Sequence, residues 1–232
     1  MQSDSFFAFQ SAHVLITGAS GGIGLVLAQN YLNHGCRVTL QYNQNRSPLE
    51  ALEEKYLKLV YIHSADMRDE ASVVGLFEKA KGKFGFINIL IANHGIEESE
   101  DVPIWQMSLK QWNNTIDVNL TGVFLACREY LKGVKQTLDA TPDNNDLKNL
   151  SIILIASTAA LFGEAYHSDY AASKSALFGF MKSLKNEIVK IHERLRINCV
   201  APGWVRTPMA EKVCKHILFL CYLFIELFDN AV

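Results

Sequence analysis

Tyr170 and Lys174 close the segment YAASK (170–174), and Ser157 precedes the tyrosine by thirteen residues. On an α-helix, positions i and i+4 lie on the same face, so the tyrosine and lysine side chains are neighbours. A free phenol has a pKa of about 10 and is a poor base at neutral pH, but a nearby ammonium group lowers that pKa. Tyr170 is therefore predicted to exchange a proton with a carbonyl or alcohol oxygen, and Ser157 to hydrogen-bond the same oxygen.

A glycine-rich segment, TGASGGIG (17–24), lies between the first apolar run and a run with helical spacing. Its glycines, Gly18, Gly22 and Gly24, allow a tight strand-to-helix turn and a close approach of the backbone to a pyrophosphate. The amide groups and the positive dipole end of the following helix would then face the phosphates. The spacing is Gly-x3-Gly-x-Gly rather than GxGxxG, and a purely structural turn is the alternative.

Short β-branched runs alternate with longer runs of helical spacing along the whole chain. The predicted strands are His13–Thr17, Arg37–Tyr42, Leu59–His63, Ile87–Ile91, Leu150–Ile155 and Arg196–Val200. The predicted helices are Gly22–Asn33, Pro48–Leu57, Asp69–Phe84, Ser108–Leu138 and Ser168–Ile191. This alternation indicates an α/β fold with a doubly wound parallel sheet and helices on both faces. At 232 residues, of which 49% are hydrophobic, the chain suits one such domain.

Together the two motifs resemble those of the short-chain dehydrogenase/reductase family, whose first turn reads TGxxxGxG and whose active site contains YxxxK after a serine. The resemblance covers residues 11–212. It implies a single Rossmann-type domain that transfers a hydride between a nicotinamide cofactor and a carbonyl or secondary alcohol, with Tyr170 as the general acid/base. The glycine-rich turn and the second-strand region resemble those of members that reduce 3-oxoacyl thioesters or small ketones.

The same resemblance assigns roles to individual residues. Lys174 would bind the nicotinamide ribose, and the positive charge of the oxidised nicotinamide would help to lower the pKa of Tyr170. Asn119 would organise a proton-relay water, Asp66 would contact the adenine, and Thr207 the nicotinamide carboxamide. The further cofactor-binding positions that it implies are Thr17, Gly18, Ser20, Gly22, Ile23, Gly24, Asn93, Pro202 and Gly203.

The end of the second predicted strand bears on the choice between NADP(H) and NAD(H). An NAD enzyme usually places an acid there to accept hydrogen bonds from the ribose hydroxyls, whereas this segment reads LQYNQNR (40–46) and no acid follows until Glu50. An acid would repel a 2′-phosphate, and Arg46 could bind one. NADP(H) is therefore favoured over NAD(H), although Arg46 as a solvated loop residue is the alternative and Gly21 stands where many NADP-using relatives carry a basic residue.

Three regions depart from the family pattern. The fourth strand is followed by ANHG (92–95) where relatives usually read NNAG, so we expect His94 near the cofactor, as a packing variant rather than a catalytic base. The loop 139–148 is expected to be a surface excursion. Residues 1–10 are expected to be an N-terminal extension, and residues 213–232 an atypical apolar tail without the family's last strand. A truncated, alternatively spliced or misread product would account for this tail.

Composition excludes several other classes of function. A net charge of −2 gives no reason to bind nucleic acid or an anionic membrane. The five cysteines include no CxxC pair, so we predict no disulfide framework and no metal site. The first residues lack a basic leader, which favours a cytoplasmic protein. The apolar run Ile217–Phe228 is shorter than the roughly 20 residues that a membrane span needs.

The expected partner is a small-molecule carbonyl or alcohol substrate. An apolar stripe on the helix predicted at 168–191 is explained either by burial within one chain or by a homodimer or homotetramer. Its members are Leu177, Met181, Leu184, Ile188 and Ile191. The alternative function is a nucleotide-binding protein, or a fragment, with little or no catalysis.

Overall fold

The computed structural model describes residues 11–98, 100–141, 147–207 and 209. In these ranges the strands are β1 (His13–Ile16), β2 (Arg37–Tyr42), β3 (Val60–Ser64), β4 (Ile89–Ala92), β5 (Ser151–Ile155) and β6 (Arg196–Val200). They form one sheet in the order β3-β2-β1-β4-β5-β6, in which every neighbouring pair is parallel. The predicted α/β class is confirmed, and the strand order is that of a Rossmann-type doubly wound sheet.

Helices connect the strands. They are α1 (Gly22–Asn33), α2 (Glu50–Lys55), α3 (Glu70–Phe84), α4 (Leu109–Ile116), α5 (Gly122–Ala140), α6 (Ala159–Phe162) and α7 (Ser168–Ile188). The helices α3 and α4 each begin one residue later than predicted, because Asp69 and Ser108 are N-caps whose side chains accept a hydrogen bond from a backbone N–H of the first turn. The short helix α6 had no counterpart in the sequence prediction.

One long helix was predicted for Ser108–Leu138, and the chain is indeed helical without a break from Leu109 to Ala140, but the helix is not α throughout. A π segment, Asp117–Thr121, separates α4 from α5. The reason lies in Asn119, whose buried side chain hydrogen-bonds to the backbone of Ile96 outside the helix. A π turn accommodates one additional residue in the helical turn and is frequent at functional sites.

Apolar side chains fill both faces of the sheet. On one face, α1 and α2 contribute Ala28, Leu32 and Leu52 to a buried cluster, and on the other face α3, α5 and α7 build the larger cluster. Every residue of β1 and β4 is buried, as expected for parallel strands covered on both sides. The carboxyl ends of these two central strands are the edge at which the site is built.

The apolar stripe of the predicted fifth helix lies on α7 and faces the chain's own interior. Leu177, Leu184 and Ile188 belong to the larger core cluster, and Met181 and Ile191 pack against it. Burial within one chain therefore explains the stripe, and a homodimer or homotetramer stays a prediction that this stripe does not support.

Other sequence predictions fall partly outside the described residues. The predictions for residues 1–10 and for the tail 213–232, an apolar run expected to lack the family's last strand, lie outside them, as does the middle of the loop 139–148. Of the cysteines that the structure describes, Cys36 and Cys127 are buried and Cys199 is partly buried, all without a disulfide. No helix in the described ranges combines the length and apolarity required to cross a membrane.

Candidate active site

A cleft of about 800 Å³ opens at the carboxyl edge of the sheet, next to the neighbouring strands β1 and β4. This is the point at which the strand order reverses, where open α/β sheets bind their ligands. The predicted site residues that line the cleft are Gly18, Ser20, Gly22, Ile23, Asp66, Asn93, Ser157, Tyr170, Lys174, Pro202, Gly203 and Thr207. The predicted residues Thr17, Gly24, Arg46 and Asn119 do not line it.

The glycine-rich turn lies against the cleft, and its glycines leave no room for a side chain. Gly18 has a φ of +60°, and an ideal Cβ there would lie 2.7 Å from the Cα of His94. A Cβ on Gly22 would lie 2.6 Å from Cγ2 of Thr207, and one on Gly24 would overlap the backbone of the turn. Because Gly22 also begins α1, the first amide groups of that helix and its positive dipole end face the cleft.

Thr17 is fully buried beneath the turn. Its Oγ1 accepts hydrogen bonds from the backbone N–H groups of Asn93 (3.0 Å) and His94 (3.3 Å). In return, Nδ2 of Asn93 donates to the carbonyl oxygens of Thr17 and Gly18, each at 3.0 Å. Thr17 is therefore a positioning residue, which ties the glycine-rich turn to the segment that follows β4.

Gln41, near the end of β2, is a site residue that the sequence analysis missed. It lines the cleft, its Oε1 accepts a 2.7 Å hydrogen bond from the N–H of Gly18, and its Nε2 donates to the carbonyl of Ala65. Its side chain thus holds the glycine-rich turn in place from the neighbouring strand. A glutamine between Leu40 and Tyr42, near the carboxyl end of a predicted strand of a doubly covered sheet, was the signal that could have identified it.

The two charged residues predicted to contact the adenosine half of the cofactor are both ion-paired. Arg46 lies outside the cleft lining, with its guanidinium 2.6 Å from a carboxylate oxygen of Glu53 on α2. Asp66 lines the cleft, and Arg68 holds it at 2.7 Å, so hydrogen bonds from Arg68 keep the pKa of Asp66 below its ordinary value. The cofactor contacts of both residues stay predictions.

The three groups predicted for proton transfer meet on one wall of the cleft. Tyr170 and Lys174, on α7, are 9% and 3% exposed. Nζ of Lys174 lies 5.8 Å from the centre of the Tyr170 ring and donates a 2.9 Å hydrogen bond to the carbonyl of Ile155. Ser157, two residues past β5, hydrogen-bonds through its side chain to Tyr170 and accepts from the N–H of Ala159 at 3.1 Å. Folding thus brings the segment after β5 next to α7.

The pKa of Tyr170 moves opposite to the direction predicted from the sequence. Burial, with the carboxylate of Glu97, raises it to about 12, and the hydrogen bond from Ser157 only partly opposes this. Burial also lowers the pKa of Lys174 to about 8. The chain's own groups therefore do not lower the phenol pKa as predicted, because desolvation of the phenolate is the largest effect and raises it. The lowering by the oxidised nicotinamide stays a prediction. At neutral pH, Tyr170 is protonated and can donate a proton.

Asn119 lies in the π segment, is fully buried, and does not reach the cleft. Its Oδ1 accepts from the N–H of Ile96 (2.8 Å), and its Nδ2 donates to the carbonyl of Ile96 (2.9 Å) and to Oγ of Ser173 (3.1 Å). The side chain thus fastens the segment after β4 to α7 and acts through other residues. Its role in organising a water stays a prediction.

His94 lies at the bottom of the cleft, as the unusual ANHG segment predicted. Its Nδ1 is 2.7 Å from Oγ1 of Thr17. Burial, followed by the charge of Lys174, lowers its pKa to about 3. Because the ring is neutral at physiological pH and hydrogen-bonded below the turn, the packing interpretation is supported over the catalytic one. A Cβ on Gly122 would lie 2.8 Å from Nε2 of His94, so the glycine that begins α5 gives the imidazole its space.

The structure also brings together three residues that the sequence analysis did not consider. Glu97, Glu164 and His167 offer ligand atoms that all lie within 4.8 Å of one another, and both acids line the cleft next to Tyr170. No sequence signal indicated them, because Glu97 follows β4 and the other two precede α7.

The strand order and the position of the cleft define a Rossmann-type α/β protein. The model of the short chain dehydrogenase family matches residues 12–217, which is most of the chain. The protein therefore belongs to the short-chain dehydrogenase/reductase family of oxidoreductases. The match begins one residue after, and ends five residues beyond, the range 11–212 in which the sequence resemblance was seen.

The sequence is also similar to those of individual proteins. The chain is 31% identical over 207 residues to nodulation protein G of Rhizobium sp. (strain N33), covering 89% of this chain and 78% of the relative. It is 29% identical over 209 residues to the 3-oxoacyl-(acyl-carrier-protein) reductase FabG of Escherichia coli (strain K12), covering 88% and 77%. It is 32% identical over 204 residues to 3beta-hydroxysteroid dehydrogenase 1 of Eggerthella lenta, covering 86% and 73%.

Solved structures share the fold. A short-chain dehydrogenase/reductase (glucose/ribitol dehydrogenase) from Brucella melitensis superposes with a TM-score of 0.77 at 29% identity, covering 90% of this chain and 79% of that one. A 3-ketoacyl-(acyl-carrier-protein) reductase from Brucella melitensis, solved in complex with NADH, superposes with a TM-score of 0.79 at 24% identity, covering 89% and 81%.

Proposed function

We propose that this protein is an NADP(H)-dependent reductase of carbonyl compounds, in which Tyr170 supplies the proton. The observation that carries the proposal is the meeting of Ser157, Tyr170 and Lys174 on one wall of a cleft that the glycine-rich turn also lines. The glycines support a nicotinamide dinucleotide in that cleft, since Gly18 and Gly22 line it and present the backbone of the turn, without side chains, to a pyrophosphate. When bound, the nicotinamide supplies the hydride.

The chain's own residues then handle the oxygen of the substrate. Ser157 would donate a hydrogen bond to the carbonyl oxygen and hold it beside the phenol of Tyr170. As that oxygen gains negative charge, Tyr170 would transfer its proton to it. Lys174, buried and bonded to the carbonyl of Ile155, would stabilise the phenolate that is left. A phenol pKa of about 12 supports the reductive direction, since the proton is present at neutral pH.

The preference for NADP(H) rests on the cleft wall that follows β2. This wall is lined by Asn43, Gln44 and Asn45, and it includes no carboxylate from that segment to repel a 2′-phosphate. Arg46 would complete the site by exchanging its exposed ion pair with Glu53 for the phosphate. Exposed ion pairs contribute little stability, so this exchange costs about 1 kcal/mol or less.

The substrate proposed is a small carbonyl compound, with the corresponding secondary alcohol as product. The names of the relatives, a 3-oxoacyl-(acyl-carrier-protein) reductase and a 3beta-hydroxysteroid dehydrogenase, describe reactions at this type of carbon. A cytoplasmic location and the absence of a nucleic-acid partner remain part of the proposal.

Loss of NADPH absorbance with a panel of ketones, 3-oxoacyl thioesters and quinones tests the enzyme proposal. Tyr170→Phe is expected to lower kcat about 10²- to 10⁴-fold, the usual contribution of a positioned acid, while NADPH affinity stays the same. The matched control is Tyr166→Phe, at a tyrosine that is 50% exposed. A wild-type protein that binds NADPH without turnover, or a Tyr170→Phe variant as active as wild type, would show a nucleotide-binding protein instead.

Equilibrium titrations with NADPH and NADH test the cofactor preference. Arg46→Ala is expected to weaken NADPH binding about tenfold, which corresponds to the loss of one hydrogen bond to a charged group, and to leave NADH binding unchanged. Glu53→Gln frees Arg46 from its partner and should not weaken NADPH binding. Equal losses for the two cofactors in Arg46→Ala, or tighter binding of NADH by the wild type, would overturn the preference.

A further inference from the structure

Three side chains with metal-ligating atoms meet on the cleft wall next to Tyr170. Glu97 lies in the segment after β4, and Glu164 and His167 lie between α6 and α7. One ligand atom from each lies within 4.8 Å of the other two. Because Glu97 and Glu164 both line the cleft, an ion or small molecule can reach the cluster from it.

The two acids contact each other directly. The side chains of Glu97 and Glu164 interact, and one carboxylate oxygen of each lies within 4.8 Å of the other. Oε1 of Glu97 is buried and has no hydrogen-bond partner among the described residues. Two carboxylates in contact cannot both carry their charge unless a proton or a cation lies between them.

His167 provides an observation that does not depend on the acids. The residue is only 3% exposed, and its Nε2 lies 3.3 Å from Oδ1 of Asp101. Its Nδ1 is buried and, within the described part of the chain, has no hydrogen-bond partner. When Nε2–H donates to a carboxylate, Nδ1 keeps its lone pair. Metal-ligating histidines typically have such a carboxylate on the other ring nitrogen, which fixes the tautomer and the ring orientation.

We propose that Glu97, Glu164 and His167 form a binding site for one divalent transition-metal ion of the Zn²⁺ or Mn²⁺ class, with Asp101 orienting the imidazole. Two carboxylates and one imidazole suit these ions, whereas Ca²⁺ and Mg²⁺ prefer sites made of oxygen atoms alone. Three protein ligands leave a coordination position for water or for an oxygen of a substrate, as in open zinc sites. The site does not depend on the proposed reductase activity.

Direct metal binding by the full-length protein, without a histidine tag and freed of metal by a chelator, tests this proposal. Zn²⁺ is titrated by calorimetry, and Co²⁺ by its visible absorption as a spectroscopic substitute. We expect one equivalent to bind. Glu164→Gln and His167→Gln should each weaken Zn²⁺ binding by more than about 100-fold, and Asp101→Asn by about 10- to 100-fold, the range for residues that orient a ligand.

The matched control is Glu98→Gln, which makes the same change one residue beyond Glu97 and should leave Zn²⁺ binding unchanged. Circular dichroism of each metal-free variant checks folding. If His167→Gln does not fold, Glu164→Gln still tests the proposal. Its side chain lines the cleft, so the change from carboxylate to amide should not disturb folding. Absence of saturable binding, which is the behaviour of two acids that merely share a proton, overturns the proposal. Equal Zn²⁺ affinities of wild type and Glu164→Gln also overturn it.

Discussion

Replacement of Thr17 by valine tests whether this residue holds the active-site edge together. Valine keeps the shape of threonine but has no hydroxyl. In the structure, that hydroxyl is fully buried, accepts from the N–H groups of Asn93 and His94, and lies 2.7 Å from Nδ1 of His94. The substitution therefore removes the acceptor of two backbone amides without creating a cavity.

The size of the effect follows from these two amides. A buried donor left without its partner costs about 1–3 kcal/mol. The N–H of His94 is buried and that of Asn93 is partly buried, so we expect Thr17→Val to lower the free energy of unfolding by about 2–4 kcal/mol. Thr17→Ser keeps the hydroxyl and loses only a methyl group, which costs about 1 kcal/mol.

Urea denaturation followed by circular dichroism measures both variants, and calorimetric titration with NADPH measures the consequence for the site. Thr17→Val should also weaken NADPH binding more than Thr17→Ser does. The reason is that Asn93, whose N–H donates to the Thr17 hydroxyl, also donates through Nδ2 to the carbonyl of Gly18 in the glycine-rich turn. A valine variant within about 0.5 kcal/mol of wild type, the range of neutral surface changes, would refute the role assigned to Thr17.

Two further predictions concern the core and the turn. Burial lowers the pKa of His13 from 6.5 to about 4, so the unfolded state binds more protons between these values, and stability that is complete above pH 6.5 should fall by about 3 kcal/mol as the pH approaches 4. Urea denaturation across this pH range gives the change of the free energy of unfolding with pH, and this slope should be smaller in His13→Gln than in wild type by the equivalent of up to one bound proton. An equal slope in the two proteins would contradict the assignment to His13. Gly22→Ala would place a Cβ 2.6 Å from Thr207 and should weaken NADPH binding at least tenfold, as measured by titration. The control is Gly75→Ala in α3, where a Cβ meets no atom within 4 Å, and this change should stabilise the protein by up to about 1 kcal/mol. Equal effects of the two substitutions on NADPH binding would contradict the role of the glycine-rich turn in binding the cofactor.

The fold was largely predictable because each of its signals is local. The bounds predicted for β2, β6 and α1 are those observed, since β-branched runs and helical spacing report on neighbouring residues. The errors have one local and one distant cause. The N-caps Asp69 and Ser108 were counted as helix, and the π segment arose from a side chain that bonds outside its own helix.

The site was predictable where the chemistry depends on spacing along one element. Tyr170 and Lys174 share a face of α7 because of helix geometry, and Ser157 follows from its position at the end of β5. Arg46 shows the limit of this reasoning, since its partner Glu53 lies in the next helix and could not be inferred from the charge of the loop.

By itself, the sequence determined the alternation of strands and helices and the spacing of Tyr170 and Lys174, because these depend on contacts within a few residues. Only the tertiary structure decided that burial raises the pKa of Tyr170, that Thr17 supports the turn from below, and that Glu97 meets Glu164 and His167. Desolvation depends on all the atoms packed around a group, and these contacts join segments that are far apart in the sequence. Neither can therefore be inferred from a single stretch of sequence.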